Sequence, residues 1–303
     1  MRRSLSRDDQ AIAAVIGAIV VLAVLGIALV YVNAYHVPRQ GAALETVAAE
    51  RSEAALVDLA GRLAARADGP VVREVPLRAE RPSPPLLSGL VLSPARAQGE
   101  LALAPAPSRI GISVVVPAPA GGVPAGDPTR EALAGGKMRV HLLGTSAGAQ
   151  PLGALHAVTG GAYLTPTRTI LEGGAVIADT ERGSALVAPP ALTVAGNVVT
   201  WRLPLLTGAA SEVAGGSHAQ VALTPGPEAQ VGGGSRVEEL RIRVETQQLA
   251  AWQAALEEVV GSRGTVTVTS TGPDAGVVQA RILDVEPKLH LVRYQAMLAD
   301  RVG

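Results

Sequence analysis

Hydrophobic and polar positions divide the chain into one uninterrupted apolar run near the N-terminus and a longer region of short alternating runs. The apolar run covers residues 11–32, and no Asp, Glu, Lys or Arg lies between Gln10 and Pro38. As a helix, these 22 residues would be about 33 Å long, enough to cross a hydrocarbon core of about 30 Å. The pattern therefore predicts a single transmembrane helix over residues 12–32.

A buried core helix and a cleaved secretory signal are the two alternatives for this run. The apolar part of a secretory signal is normally about 7–15 residues long and precedes a cleavage site of small residues. Here the run is longer, and Tyr31, Asn33, Tyr35 and His36 stand at its end in place of such a site. The sequence thus favours a helix that stays in the mature protein.

Basic residues on the two sides of the span indicate its orientation. Three arginines precede the span and two follow it closely: Arg2, Arg3, Arg7, Arg39 and Arg51. Segments that remain in the cytoplasm carry an excess of Lys and Arg. We therefore predict a cytoplasmic leader over residues 1–11, a single pass through the cell membrane, and an extracellular C-terminal region.

Two further features concern contacts in the membrane. Tyr31 and Tyr35 lie one helical turn apart at the predicted outer end, which is typical of an aromatic anchor at the lipid headgroups; two ordinary tyrosines are the alternative. Small residues at four-residue spacing allow helix backbones to approach closely in lipid. Such pairs are Ala13 with Gly17 and Ala14 with Ala18. The expected contacts of the span are the lipid bilayer and neighbouring helices.

Residues 33–68 have an amphipathic pattern that extends the helix outside the membrane. The apolar positions of this stripe are Leu44, Val47, Leu56, Leu59 and Leu63. Pro38 is expected to kink or interrupt the helix, and Gly69-Pro70 to end it. The stripe needs a partner, which is either the protein's own β domain or neighbouring subunits in a filament.

The region from residue 70 to 137 contains twelve prolines, a spacing through which no helix can run. Short strands fit between the prolines, and we predict them at residues 86–92, 101–104 and 110–116. The stretch over residues 117–136 is rich in Gly, Pro and Ala and is predicted to be an exposed loop.

Residues 138–245 alternate short β-type runs with Gly, Pro and Asn, which is typical of a sandwich or barrel-like β domain. Strands are predicted at residues 138–143, 168–171, 175–178, 184–188, 198–203, 220–224 and 237–244. One short helix over residues 247–260, capped by Thr246, interrupts the pattern. The last predicted strands are at residues 265–271, 277–285 and 289–297.

These elements define the predicted fold class, which is α+β. A long N-terminal transmembrane helix extends into a mainly β, sandwich-like ectodomain that contains one short helix. The predicted domains are the leader (1–11), the transmembrane helix (12–32), the extracellular helix extension (33–68) and the β-rich ectodomain (70–303).

Composition excludes several classes of protein. The chain has 26 basic and 26 acidic side chains, so its formal net charge is zero. Nucleic-acid-binding proteins usually carry a basic surplus, and no nucleic-acid partner is therefore predicted. The chain has no cysteine, which excludes a disulfide scaffold, a Cys-ligated zinc site, an iron–sulfur cluster and a thiol enzyme.

One pentapeptide matches a catalytic motif. Residues 144–148, Gly-Thr-Ser-Ala-Gly, fit the Gly-x-Ser-x-Gly nucleophile elbow of hydrolases, with Ser146 as the nucleophile. Candidate partners downstream are His156, His218, His290, Asp179 and Asp284. An elbow needs a helix directly after the serine, and Pro151 and Gly153 weaken such a helix. We interpret the motif as a turn between strands and predict no catalytic residue.

The remaining polar residues form no metal-binding or cofactor-binding pattern. The five histidines are isolated, and none forms a His-x-His or His-Glu-x-x-His motif. Beyond the leader, carboxylates occur singly apart from Glu238-Glu239 and Glu257-Glu258, and we interpret them as solvated surface groups. No metal ligand, cofactor-binding residue or cofactor is predicted.

The N-terminal sequence resembles archaeal type IV pilins and archaellins. Residues 8–17, Asp-Asp-Gln-Ala-Ile-Ala-Ala-Val-Ile-Gly, are similar to the family's Asp-Asp-Arg-Ala-Val-Ser-Pro-Val-Ile-Gly before a long apolar run. The resemblance implies that a prepilin peptidase cleaves between Ala11 and Ile12 and that the helix then packs with identical or related subunits in a filament core. Gln10 and Ala14 depart from the family pattern, so an uncleaved anchor is the alternative.

The later chain resembles a group of uncharacterised archaeal membrane proteins that have a pilin-like N-terminus and an extracellular β domain. The stretches that carry this resemblance are Gly161-Ala162-Tyr163, Leu171-Glu172-Gly173-Gly174-Ala175-Val176-Ile177, Pro189-Pro190-Ala191-Leu192 and a helix with Trp252. Together with the N-terminus they cover roughly half of the chain. The group has no established activity that the resemblance could imply.

Three functional hypotheses follow. The first is a pilin-like, single-span cell-surface structural protein, as a minor subunit of a type IV pilus-like assembly. The second is a permanently anchored extracellular binding domain that does not polymerise. The third, an anchored hydrolase that uses Ser146, depends on the pentapeptide alone.

Overall fold

The structure is a computed structural model that describes residues 7–65, 69–78, 99–122, 126–272 and 275–300. The predicted strand at residues 86–92 lies outside these ranges. Residues 1–6 of the predicted leader lie outside them as well.

A long continuous helix forms the N-terminal part of the described chain. Helix α1 (Arg7–Tyr31), a π-helical segment (Val32–His36) and helix α2 (Val37–Ala65) follow one another without a break. The N–H of Val37 donates to the carbonyl of Val32, which is the wider spacing of a π turn. Pro38 follows directly, and the wide turn makes room for a residue that lacks an N–H and crowds the preceding turn. The expected interruption at Pro38 is therefore a local widening, and the helix continues.

Side-chain exposure divides this helix into two halves. The apolar side chains of α1 are exposed, and Leu22, for example, is 67% exposed. In α2, by contrast, Leu56, Leu59 and Leu63 are fully buried against the β domain. The described chain thus has one helix that is long and apolar enough to cross a membrane, and the second half of this helix packs on the protein's own domain.

Fifteen strands within the described residues build a large domain after the helix. In chain order they are β1 (Val71–Pro76), β2 (Glu100–Pro117), β3 (Arg130–Leu133), β4 (Lys137–Leu143), β5 (Gln150–Thr159), β6 (Thr167–Glu172), β7 (Ala175–Thr180), β8 (Gly183–Ala188), β9 (Leu192–Ala195), β10 (Val198–Thr207), β11 (Ser211–Ala214), β12 (His218–Val231), β13 (Val237–Thr246), β14 (Gly264–Ser270) and β15 (Gly276–Asp300). Helix α3 (Leu249–Val260) and a 3₁₀ turn (Gly261–Arg263) precede β14. The predicted fold class is confirmed.

Eight antiparallel strands and α3 enclose the first hydrophobic core. The strands pair in the order β14-β15-β13-β2-β5-β6-β7-β8, and α3 contacts both end strands. Ile112, Ile242, Trp252 and Val278 are among the buried side chains inside. Helix α3 therefore packs against both end strands of a barrel-like sheet.

The second sheet shares its longest strand with the first. Its order is β1-β12-β15-β10-β9, with β10 parallel to β15. Val285 of β15 still pairs with Val237 of the first sheet, whereas Glu286 pairs with Val198 of the second. Asp284, with a φ of 57°, lies just before this change. The two strands predicted at residues 277–285 and 289–297 are thus one strand, because a single left-handed residue redirects the chain without ending its pairing.

Prolines interrupt fewer strands than expected. Strand β2 passes through Pro105 and Pro107, which lie where its pairing with β5 shifts register between Ala104 and Ser108. Such an irregularity tolerates a missing N–H, so the predicted break between residues 104 and 110 is wrong. The predicted loop at residues 117–136 is also wrong over β3, which pairs with β4. The sequence pattern misses β1, β5, β9 and β11 altogether.

Candidate functional site

The contact between α2 and the β domain is the candidate functional site, because it fixes the exposed apolar helix to the ectodomain. The buried face of α2 differs from the predicted apolar stripe in its first turns: Val47 is 36% exposed and Leu44 is half-buried. Buried in their place are Gly41, Glu45, Ala48 and Ser52. Small residues let the backbone of a loop approach the helix closely, which the large side chains of the predicted stripe would prevent.

Glu45 holds this loop, which connects β5 with β6. One carboxylate oxygen of Glu45 accepts hydrogen bonds from the N–H groups of Ala162 (3.0 Å) and Tyr163 (3.1 Å). The other oxygen accepts one from the N–H of Leu164 (2.8 Å). Glu45 is only 4% exposed, so these backbone donors replace the water that a surface carboxylate would bind. We call Glu45 and residues 160–164 the helix clasp.

Glycines permit the geometry of the clasp. Gly160 and Gly161 have φ values of 93° and 102°, a region that other residues rarely adopt. The aromatic ring of Tyr163 covers Gly41 so closely that a methyl group on Gly41 would overlap the ring. The stretch Gly161-Ala162-Tyr163, which carries part of the resemblance described above, is therefore one part of the β domain that binds the helix.

Two further hydrogen bonds attach α2 below the clasp. The hydroxyl of Ser52 donates to the carbonyl of Pro76 at the end of β1. The guanidinium of Arg202 in β10 donates to the carbonyl of Ala64 at 2.8 Å. That carbonyl belongs to the last turn of α2, where no helical N–H is available to it and where a cation is favoured. The helix is thus held at its start, middle and end.

A second polar cluster lies inside the barrel around Glu172. Its carboxyl group accepts hydrogen bonds from the hydroxyl of Ser108 (2.8 Å) and from the indole N–H of Trp252 (2.8 Å). The hydroxyl of Ser108 also lies 3.1 Å from that of Thr246, which accepts a bond from the N–H of Gln248 at the start of α3. These bonds join β6, β2, β13 and α3.

Burial raises the pKa of Glu172, and the hydrogen bonds from Ser108, Trp252 and Thr246 offset part of this effect. Gly173 leaves room for the ring of Trp252, since a methyl group there would lie 3.2 Å from the ring. The stretch that begins at Leu171 and the helix that carries Trp252 therefore meet in one buried cluster. The prediction that isolated carboxylates are solvated is wrong for Glu172, because neutral donors surround it in the core, and for Glu45.

Glu239 is a third buried carboxylate. The interpretation of the pair Glu238-Glu239 as solvated surface groups is therefore wrong for Glu239. Glu238 is exposed, but Glu239 is 8% exposed and binds both Arg241 and Arg281. Burial by itself would raise the pKa of Glu239, but the hydrogen bonds and charges of Arg281 and Arg241 lower it overall. Arg241 and Arg281 are directly opposite each other on β13 and β15, and Glu239 separates their like charges.

The residues predicted to act in the membrane all lie on α1 or just after it. Gly17 has no protein atom near the position of a side chain, and Ile12 is 58% exposed. The peptide between Ala11 and Ile12 lies within α1. The small residues Ala13, Ala14 and Ala18 are exposed. Their roles in packing and processing stay predictions.

The rings of Tyr31 and Tyr35 stack with centroids 5.1 Å apart, and both side chains are exposed. They lie at the end of α1 and in the π-helical segment, at the boundary between the exposed and the docked half of the helix. Their role as a membrane-interface anchor stays a prediction.

Ser146 lies in an exposed turn between β4 and β5. Its N–H donates to the carbonyl of Pro128, and β5 rather than a helix follows at Gln150. The turn borders a shallow cleft of about 350 Å³ that Glu131, Arg139 and His141 also line. The strand–turn–helix geometry of a nucleophile elbow is not formed here.

The candidate partners of Ser146 are dispersed. His156 is on β5, where burial lowers its pKa; His218 begins β12; and His290 on β15 lies 2.5 Å from Glu228. Within the described ranges, no three His, Asp or Glu side chains are grouped so that they could hold a metal ion.

The sequence signals for the clasp and the buried cluster are weak. Glu45 lies at a helical spacing among Gly41, Ala48 and Ser52, so it is one acid in a stripe of small residues. Glu172 is one acid in an apolar run before two glycines. Neither pattern distinguishes a buried carboxylate from a solvated one, because the donors come from distant parts of the chain.

Together these features define a class of protein in which a β domain is fixed to the end of a long, partly exposed apolar helix. The chain belongs to DUF7289, a family of unknown function, whose model matches residues 126–299. The match includes α3, the loop of the clasp and Glu172, and it leaves out α1 and α2. No curated protein and no solved structure matches the chain.

Proposed function

We propose that this protein is a pilin-like, single-span cell-surface structural protein that acts as a minor subunit of a type IV pilus-like assembly. The observation that carries the proposal is the division of one helix into an exposed apolar half and a docked half. A helix that is apolar on all sides needs lipid or other helices around it. In a membrane the first half is an anchor, and in a filament the same half is the core contact.

The way in which α2 is attached supports a role in transmitting force from the helix to the β domain. The clasp at Glu45, the bond from Ser52 to Pro76 and the bond from Arg202 to Ala64 are spread over most of α2. Leu56, Leu59 and Leu63 add apolar contact between them. Force on the anchor would therefore reach the β domain through several contacts at once rather than through a flexible linker.

The N-terminal resemblance supplies the expected processing and orientation. A prepilin peptidase would cut between Ala11 and Ile12 on the cytoplasmic side, and the arginines before the span favour a cytoplasmic N-terminus. The mature protein would begin at the apolar helix, and its β domain would be extracellular. Ala13 and Gly17 would then face neighbouring helices.

The second candidate is a permanently anchored extracellular domain that does not polymerise. Gln10 and Ala14 favour it, because both depart from the pilin pattern around the cleavage position. Under this alternative the same helix is only an anchor, and the β domain binds a partner at the cell surface.

The first experiment is to identify the N-terminal residue of the protein isolated from native membranes, by intact mass and terminal peptide mapping. The proposal expects Ile12. A protein that keeps Met1 or Arg2 would contradict processing and favour the plain anchor.

A second experiment tests assembly. Gly17→Leu puts a bulky side chain on the predicted packing face, whereas Gly26→Leu puts the same side chain nine residues later, half a turn away on the opposite face. We expect Gly17→Leu to abolish filaments that sediment and are visible by electron microscopy, and Gly26→Leu to leave them intact. Equal effects of the two variants, or wild-type protein that never sediments, would contradict the assembly role.

A further inference from the structure

We propose that β14 is a self-pairing edge through which two copies of this chain join their sheets in antiparallel fashion. The proposal does not depend on the proposed function, because it concerns the β domain and not the membrane helix. It is carried by the exposure of β14, its lack of protection and the symmetry of its sequence.

Within the residues that the structure describes, β14 pairs on one side only. Its seven residues pair with β15 from Gly264 opposite Ile282 to Ser270 opposite Gly276. No other backbone pairing involves β14 in the described ranges. In an antiparallel strand, half of the backbone N–H and C=O groups point away from the first partner, so they form a template for another strand.

Most side chains of β14 are exposed, although α3 contacts the strand. Thr265, Thr267 and Thr269 are exposed, and Val268 is 40% exposed. Val268 pairs with Val278, which is fully buried in the barrel core, so Val268 is an apolar residue whose cover is incomplete. A strand added beside β14 would cover this side chain and would pair the free backbone groups.

Most other edges of the two sheets carry protection that β14 lacks. Strand β9 is uncharged, but with four residues it is very short. Strand β3 has Arg130 and Glu131, β11 has Glu212, and β1 has Arg73 and Glu74. Strand β8 is uncharged, but its side chains pack against both cores. From residue 264 to residue 272 the sequence Gly-Thr-Val-Thr-Val-Thr-Ser-Thr-Gly has no charge and no proline, the features by which proteins normally protect an edge.

The sequence of β14 favours a second copy as its occupant. Residues 265–269, Thr-Val-Thr-Val-Thr, read the same in both directions. An antiparallel pair centred on Thr267 therefore places threonine opposite threonine, and Val266 opposite Val268 of the second copy. Pairs of β-branched residues are favourable across strands, and this alternation keeps the Val face and the Thr face of the two sheets in register. The contact is isologous, so it closes as a twofold dimer.

Single cysteines test this register directly, because the chain has no cysteine of its own. In the full-length protein in its membrane, Thr267→Cys lies on the twofold axis and is expected to form a disulfide-linked dimer on mild oxidation. Facing residues in antiparallel strands are close enough for a disulfide, whereas Thr265→Cys would be more than about 10 Å from its own copy. We expect at least about tenfold more dimer for Thr267→Cys than for Thr265→Cys. A mixture of Thr265→Cys and Thr269→Cys chains should cross-link to each other.

The control is Thr193→Cys, an exposed threonine on the edge strand β9. Equal cross-linking at positions 193, 265 and 267 would show random collision and would overturn the proposal, as would the absence of a Thr267→Cys dimer. A cross-linked product whose mass shows a different protein would also overturn it, since the occupant would not be a second copy.

Charge variants provide a test that does not require a disulfide. Thr267→Lys puts like charges opposite each other, so we expect the dimer to dissociate. Analytical ultracentrifugation of the detergent-solubilised chain should then show monomers. Co-expression of Thr267→Lys with Thr267→Glu should restore the dimer, which a misfolded variant could not do. Thr193→Lys should leave it unchanged. Dimers that persist in Thr267→Lys would overturn the proposal.

Discussion

The indole N–H of Trp252 donates a hydrogen bond of 2.8 Å to the carboxyl group of Glu172 in the interior of the barrel. Both groups are buried, and they come from α3 and β6, which are 80 residues apart in sequence. Their bond joins the helix that packs against both end strands of the barrel to a strand of its wall. The contact brings together two of the separate stretches on which the sequence resemblance rests.

Trp252→Phe is expected to destabilise the protein by about 1–3 kcal/mol more than Trp201→Phe. Both tryptophans are fully buried, so both substitutions remove similar apolar volume. Only Trp252 gives up a hydrogen bond to a buried carboxyl, because the indole N–H of Trp201 has no hydrogen-bond partner in the described structure. Chemical denaturation, monitored by circular dichroism, measures the free energy of unfolding of both variants. Equal losses would show that the Glu172 bond contributes nothing to the stability.

The raised pKa of Glu172 predicts that stability falls as pH increases. Because burial raises its pKa in the folded state, the folded protein keeps a proton that the unfolded chain has lost. The contribution is fully present below the unfolded value near 4.5 and is lost as pH rises from there through the folded value. The slope for one proton is at most about 1.4 kcal/mol per pH unit.

Glu172→Gln should remove this pH dependence and should stabilise the protein relative to the wild type at neutral pH. The amide keeps an oxygen that can accept from Trp252 and an NH₂ that can donate to Ser108. Denaturation from pH 4.5 to pH 8 compares the two proteins. Parallel stability curves would mean that Glu172 titrates in the folded state as it does in the unfolded chain.

Glu45→Gln is expected to destabilise the contact between α2 and the β domain by about 1–3 kcal/mol. The carboxylate accepts three backbone N–H groups, whereas an amide would turn its NH₂ towards at least one of these donors. The amides of residues 162–164 should then exchange hydrogen faster. Glu50→Gln, at an exposed position on the same helix, is the control and should change the stability by less than about 0.5 kcal/mol. Unchanged exchange in the loop would contradict the clasp.

The sequence predicts those parts of the fold that depend on local pattern. The apolar run over residues 11–32 predicts the long helix because lipid-facing helices are apolar on all sides. Strand β4 and helix α3 also follow from period alone, at residues 138–143 and 247–260. These elements require no knowledge of what they pack against.

The parts that the sequence does not reveal depend on distant partners. The sequence around residue 284 predicts a break between two strands. In the structure β15 continues through it, because β15 pairs with β13 before this point and with β10 after it. Leu44 and Val47 suggest an apolar face, yet the loop at residue 162 supplies N–H groups and selects Glu45 as the buried residue. A hydrophobic pattern indicates which side chains avoid water. It does not show that backbone N–H groups more than 100 residues away will bind the carboxylate of Glu45.

The clasp also predicts opposite effects for two glycines of α2. Gly41→Ala places a methyl group against the ring of Tyr163, so the ring must move, and we expect a loss of about 1–3 kcal/mol. Gly61 is exposed and has open space around it, so Gly61→Ala should gain about 0.5–1 kcal/mol from helix propensity. Thermal unfolding of the two variants and the wild type measures the loss of stability in one variant and the gain in the other. A gain for Gly41→Ala would show that Tyr163 does not pack on the helix.

Glu239→Gln is expected to destabilise the protein by about 1 kcal/mol, a modest value because Arg281 is half-exposed and solvent screens its charge. Without the carboxylate, Arg241 and Arg281 face each other as like charges.

The folded pKa of Glu239 is lowered, so its contribution to stability is present above the unfolded value near 4.5 and is lost as pH falls through the folded value. The stability of the wild type should therefore fall as pH decreases below about 4.5, and Glu239→Gln should flatten that part of the curve. Glu238→Gln, which removes only an exposed ion pair with Lys137, should leave it unchanged.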